Sequence, residues 1–169
     1  SAETAMGRYP VEAVQTMDRI IKEAEKEGPI RTDAAAKPLP ASKDASLAFA
    51  DAIARAAYTL SLDSPAERIV VFTLTGAAVR RVAKYRPSPP IVAVLTDERA
   101  ARRLNLIWGV RAVVVPIEED PDVMFRQAGE AIIEAGLAAR NGYALIVGSL
   151  PMLRVSGHTN LVHVRRLGT

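Results

Sequence analysis

The chain has 169 residues, 49% of them apolar and 24% charged, with a net charge of +3, the profile of one globular domain with a short appendage. No apolar run is long enough for a membrane-spanning helix, and the absence of cysteine excludes disulfides, thiolate-held iron–sulfur clusters and cysteine zinc sites. Two histidines, His158 and His163, are too few for a histidine-rich metal centre, and scattered Lys and Arg among few aromatics do not make a nucleic-acid platform.

At the amino terminus Ser1-Ala2-Glu3-Thr4 has neither the charged head nor the apolar stretch of a secretory signal, so a cytoplasmic location is expected. Residues 11–27 predict an amphipathic helix. Val11, Val14, Met17, Ile21 and Ala24 share one side, and Glu12, Asp18, Lys22, Glu25 and Lys26 share the other. Pro10 suits its first position and Gly28-Pro29 stops it. Residues 28–41, with three prolines and no periodicity, read as a linker and the domain boundary. Ser42 is expected to cap an Ala-rich helix to about Leu62, with Ala45, Phe49, Ala52, Ile53, Ala56, Ala57 and Leu60 on one face.

A strand–helix rhythm follows. Ile69–Thr73 is a continuous apolar run, as a strand covered on both faces requires. A helix over Gly76–Tyr85 is closed by a proline-rich turn, and Ile91–Leu95 is the second strand. Thr96 is expected to cap a helix holding Arg99, Arg102 and Leu106, ahead of a third strand at Val110–Pro116. Asp120-Pro121 supplies a cap and a first-turn proline for a helix to about Ala139. Asn141-Gly142 turns the chain into Tyr143–Gly148, and Leu161–Val164 ends it as a fifth strand without a crossover helix. Alternation of this kind predicts a mostly parallel sheet with helices on both faces, its last strand antiparallel at an edge.

Two hydroxyls and a glycine stand where the first strand ends, at Thr73–Ala78, so backbone N–H groups and a helix dipole point at one spot. Either this is an anion site, or Thr75 caps the helix and Gly76 permits the turn. His158 is either a phosphate contact or a solvated loop residue. Trp108 reads as a packing residue beside Gly109, and Glu118-Glu119-Asp120 as a solvated helix start rather than a metal cluster. No Gly-x-Ser-x-Gly elbow supports a hydrolase triad.

Three tracts carry a family resemblance. Ser1-Ala2-Glu3-Thr4-Ala5-Met6-Gly7-Arg8-Tyr9-Pro10, followed by Val11-Glu12-Ala13-Val14, is similar to the Ser-Gly-Glu-Thr-Ala-x-Gly-x-Tyr-Pro tract at the end of the pyruvate kinase barrel, with Ala2 in place of glycine. Thr73-Leu74-Thr75-Gly76, Val82-Ala83-Lys84-Tyr85-Arg86-Pro87 and Pro90-Ile91-Val92-Ala93-Val94 resemble that family's effector loop and the segments after it. Leu104-Asn105-Leu106-Ile107-Trp108-Gly109-Val110 and Gly157-x-Thr159-Asn160-Leu161 complete the match.

The resemblance implies a three-layer α/β/α domain at 42–169 whose five-stranded, mostly parallel sheet has the order 3-2-1-4-5, with the last strand antiparallel. It implies that 1–27 is the exit and last helix of a catalytic barrel, packed on barrel strands, with Ser1 and Glu3 at the barrel mouth. The parent would be a cytoplasmic homotetrameric phosphotransferase of glycolysis, moving phosphate from phosphoenolpyruvate to ADP to give ATP. Its catalytic lysine and its ligands for Mg2+ and K+ lie outside this chain, which alone is expected to be inactive and to bind no metal. The chain opens inside a motif, which suggests a longer parent; the alternative is a free-standing binding module of the same fold. The implied effector site, for a phosphorylated metabolite, comprises Thr73, Thr75, Gly76, Ala77, Ala78, Gly157 and His158. Members activated by fructose 1,6-bisphosphate generally place a basic residue and a hydroxyl after the loop glycine, where this chain has Ala77 and Ala78, and Leu74 stands at a commonly polar position. Losing one charge-assisted bond, about 1.5–3 kcal/mol, weakens a site roughly tenfold to hundredfold, unless Arg80 or Arg81 reaches back. Carboxy-terminal domains of the family meet across a subunit interface, and the exposed last strand is the expected contact.

Overall fold

Strands covered on both faces must be apolar at nearly every position, and four short runs of this chain are. The computed structural model describes residues 2–26, 42–151 and 158–169 and divides into two compact units, Ser1–Arg31 and Thr32–Thr169. The linker expected at 28–41 lies outside the described residues, as do Ser1 and Gly157.

The first unit holds α1 (Ala2–Ala5) and α2 (Pro10–Glu25). Pro10 opens α2 as expected, and α2 buries none of its residues, so its apolar stripe is exposed. Gly7 joins the two helices where a Cβ would collide with the backbone of Glu3, 2.7 Å from its Cα.

The second unit runs α3 (Ala45–Leu62), β1 (Arg68–Phe72), α4 (Ala77–Ala83), β2 (Ile91–Leu95), α5 (Glu98–Leu104), β3 (Val110–Val114), α6 (Pro121–Glu134), β4 (Tyr143–Gly148) and β5 (Leu161–Arg166). The sheet order is β3-β2-β1-β4-β5, with β4–β5 the antiparallel pair, as expected. Alternate residues of each strand enter different layers. Ile69, Val71, Ile91, Ala93, Leu145 and Val147 face α3, α4 and α5. Val70, Phe72, Val92, Val94, Ala144 and Ile146 face Met124, Phe125, Ala128 and Ile132 of α6. At about 1.5–3 kcal/mol for each large apolar side chain removed from water, these two layers are the main stabilising term.

Helix starts were partly misread. Asp44, not Ser42, caps α3 by accepting from Ser46 N at 2.8 Å, and Asp97, not Thr96, caps α5 by accepting from Ala100 N at 2.6 Å. A carboxylate nearer the helix, two residues on from Ser42 and one on from Thr96, is the stronger acceptor, so the hydroxyl yields to it. Asp120 caps α6 as expected, accepting from Asp122 N at 2.8 Å. Because α5 stops at Leu104, Leu106 lies beyond it and is exposed.

The face of α3 is the larger correction. Ala50, Ala54, Ala57, Tyr58 and Ser61 are buried, so of the expected apolar face Ala57 is covered while Phe49 is 68% exposed. Apart from Asp51 and Arg55 the helix is largely apolar, with alanines on several sides, so its periodicity is too weak to say which side meets the sheet.

Candidate functional site

Parallel strands of an open α/β sheet direct their carboxyl ends at one surface, and binding crevices form where the strand order reverses. Here that point is the end of β1, which lies between β2 and β4. Immediately beyond β1, Thr73 donates its N–H to Val94 O at 3.0 Å, while its Oγ1 accepts from Gly76 N at 2.9 Å. That bond folds residues 73–76 into a tight turn. Gly76 caps α4 from the left-handed region, φ +87°, which a side chain would resist.

The N-cap of α4 is thus Gly76 rather than Thr75, which is exposed and has an interaction of its own. Leu74 packs against the layer under α6. Ala77 is half-buried and Ala78 is a core residue, so only their backbone N–H groups, in the first turn of α4, can serve a ligand. Arg81 points away, paired with Asp51 at 3.2 Å, and does not reach back to the loop; Arg80 is exposed.

Across the turn, β4 runs parallel to β1 with Val71 opposite Val147, which brings Thr73 and Ser149 side by side one step past the ends of the strands. Thr159, just before β5, completes a set of three hydroxyl residues. Thr73, Ser149 and Thr159 are 6%, 8% and 6% exposed. Asn160 holds the mouth of the β4–β5 connection. Its amide accepts from Leu150 N at 2.9 Å and donates to Leu150 O at 3.0 Å, and its own N–H donates to Gly148 O at 3.0 Å. His158 is exposed beside Thr159, and Gly157 lies outside the described residues.

Thus Thr73, Thr75, Gly76, Ala77 and Ala78 are brought together as one turn. Glu3 belongs to the other unit, exposed, its carboxyl held below the usual range chiefly by its own backbone N–H. Ser149 and the clamp at Asn160 were missed as site residues. The signal for Ser149 was present: both apolar runs, 69–72 and 143–148, are followed directly by a hydroxyl.

Trp108 is not a core residue; it is half exposed, with the Arg86 guanidinium 5.2 Å from its ring centroid. His163 stacks on Phe125, 5.9 Å between ring centroids, as part of the packing of β5. Among the described residues no three His, Asp or Glu side chains form a metal-holding group.

The family model described as "Pyruvate kinase, alpha/beta domain" matches residues 51–165. Among curated relatives, the pyruvate kinase of Clostridium acetobutylicum is 33% identical over 98% of this chain and 34% of its own length. That of Geobacillus stearothermophilus is 35% identical over 97% of this chain and 27% of its own. A crystal structure of a pyruvate kinase from Cryptosporidium parvum superposes with a TM-score of 0.77 at 29% identity, covering 99% of this chain and 32% of that one. The chain therefore spans about a third or less of the length of the proteins it matches.

Proposed function

This chain belongs to the pyruvate kinase family, and we propose on that premise that it is the effector-binding and subunit-contact part of a longer phosphotransferase. The parent transfers phosphate from phosphoenolpyruvate to ADP, giving pyruvate and ATP, in the cytoplasm, and this part alone does not catalyse the step. Among the described residues no helix is long and apolar enough to cross a membrane. Mg2+ and K+ serve the parent through ligands outside this chain. The observation that carries the reading is the match of the family's α/β domain to residues 51–165.

The effector is a phosphorylated metabolite held at the end of β1 by Thr73, Thr75, the N–H groups of Ala77 and Ala78, and Gly157 and His158 from the facing loop. Backbone N–H groups and hydroxyls, with Arg81 tied to Asp51, suit one phosphate better than two. Within the tetramer the exposed stripe of α2 meets barrel strands. Self-association is supported on this unit by the outward face of α3, where Phe49, Ala56 and Leu60 are exposed, and by the open edge of β5.

Calorimetric titration of the chain tests the site. A hexose or nucleoside monophosphate is expected to bind more tightly than fructose 1,6-bisphosphate, and Thr75→Ala to weaken that binding about tenfold. Micromolar binding of the bisphosphate, lost on Thr75→Ala, would overturn the monophosphate reading. No heat with any phosphorylated metabolite would overturn the effector role.

A further inference from the structure

Thr73 and Ser149 stand one step past the paired residues of β1 and β4. The register carries through to them, because a Cβ on Gly148 would lie 3.4 Å from Phe72 Cβ, in the pair just before. Adjacent strands lie about 4.8 Å apart, and residues two apart share a face. Thr73 therefore follows Val71, and Ser149 follows Val147, onto the side of the sheet that α3 and α4 cover.

Both hydroxyl protons are weakly committed. Thr73 Oγ1 accepts from Gly76 N at 2.9 Å, which uses a lone pair and leaves its O–H to donate. Ser149 Oγ–H has Pro151 O as its acceptor at 3.5 Å, the outer limit of a hydrogen bond. Thr73 and Ser149 are 6% and 8% exposed, so little water competes for them. A hydroxyl that exchanges so long a bond for one to an anionic oxygen loses little and gains a charge-assisted contact.

Asn160 holds the chain on both sides of Ser149. Its backbone N–H donates to Gly148 O at 3.0 Å, and its side-chain amide accepts from Leu150 N at 2.9 Å and donates to Leu150 O at 3.0 Å. Ser149 is the residue between those two. An amide side chain carries a donor and an acceptor as a peptide does, whereas a carboxylate only accepts and can make just one of the two side-chain bonds.

We infer that Ser149 is a further phosphate contact of the effector site, donating its hydroxyl beside that of Thr73, and that Asn160 is its positioning residue. The inference rests on the effector reading above and adds to the turn after β1 a donor from the neighbouring strand. Two hydroxyls side by side address one phosphate, in keeping with an effector that carries a single one.

Calorimetric titration of the chain with glucose 6-phosphate and with adenosine monophosphate provides the test. Ser149→Ala is expected to weaken binding about tenfold and Asn160→Ala about three- to tenfold, with thermal melts showing the fold kept. Because Asn160 acts through Ser149, the double variant should bind no more weakly than Ser149→Ala alone. Asn160→Asp reads the side-chain bond directly. Its carboxylate cannot donate to Leu150 O and repels phosphate, whereas its protonated form can donate. Measured against the unaltered chain at each pH, its affinity should therefore climb past that of Asn160→Ala as pH falls from about 7.5 to about 4.5. Relief of repulsion alone would only bring the two level. Unchanged affinity in Ser149→Ala, losses that multiply in the double variant, or an Asn160→Asp variant that never exceeds Asn160→Ala would each overturn the inference and leave the effector reading standing. Failure of both monophosphates to bind the unaltered chain would overturn that reading and the inference with it.

Discussion

At Gly76 the backbone lies at φ +87°, and a methyl group there would sit 2.5 Å from Leu104 Cδ2, at the end of α5. Gly76→Ala must therefore force a left-handed alanine and displace a fully buried leucine. The expected loss is about 2–5 kcal/mol, combining about 1–2 from the backbone with about 1–3 from overpacking. In a Leu104→Ala background the same change should cost only the backbone share, so urea denaturation of the double-mutant cycle should be strongly non-additive. Full additivity would mean that Leu104 does not press on the turn. Tyr85 behaves in the opposite sense. It is 2% exposed, its ring stacks on Tyr58 at 5.3 Å, and its hydroxyl has no partner among the described residues. Tyr85→Phe keeps the ring and removes the orphan, so stability should hold or rise by up to about 1 kcal/mol. A loss larger than that would reveal a partner for the hydroxyl.

Among the elements, α6 is tied to the carboxy-terminal turn by Arg140, whose guanidinium donates to both carboxylate oxygens of Glu130 at 2.9 and 2.6 Å and to Gly168 O at 3.3 Å. The hydrogen bond from Arg140 holds the Glu130 carboxyl below the usual range and raises Arg140 in return. A carboxyl depressed in the folded state adds stability above its unfolded value, about 4.3, and loses it as pH falls through its folded value. Glu130→Gln should accordingly be less stable than the parent at pH 7, with the gap closing only below about pH 4. Thermal melts of both proteins across pH 3–7 would show this, and a pH-independent gap would contradict it. The edge of the sheet is managed by a different device. Asn105 Oδ1 accepts from Ala112 N at 3.2 Å, occupying an outward N–H of β3 that another strand could otherwise pair with.

For the molecule as a whole, the uncovered apolar stripe of α3 is the feature with the largest consequence for assembly. Phe49, Ala56 and Leu60 lie on the side of α3 away from its buried residues, so water or another protein surface must meet them. Under the proposed subunit-contact role, the chain should sediment as more than one copy at micromolar concentration, and Phe49→Glu should shift it toward the monomer with its thermal stability kept. An unaltered chain that is monomeric at high concentration would remove α3 from the interface.

Strand identity and the cap at Asp120-Pro121 were legible in the residues, because continuous β-branched runs and a carboxylate before proline act through contacts only a few residues long. The order of the strands came with the family resemblance rather than with any local pattern. The sequence also marked the turn after β1, since a glycine next to hydroxyls at a strand end has few other uses. It could not say which side of α3 would be buried, because alanines lie on several sides of that helix and the neighbouring α4 and sheet decide the matter. Nor could it show that Ser149 stands beside Thr73. Those neighbours are separated by about 75 residues, and their meeting depends on strand register, which only the packed sheet sets.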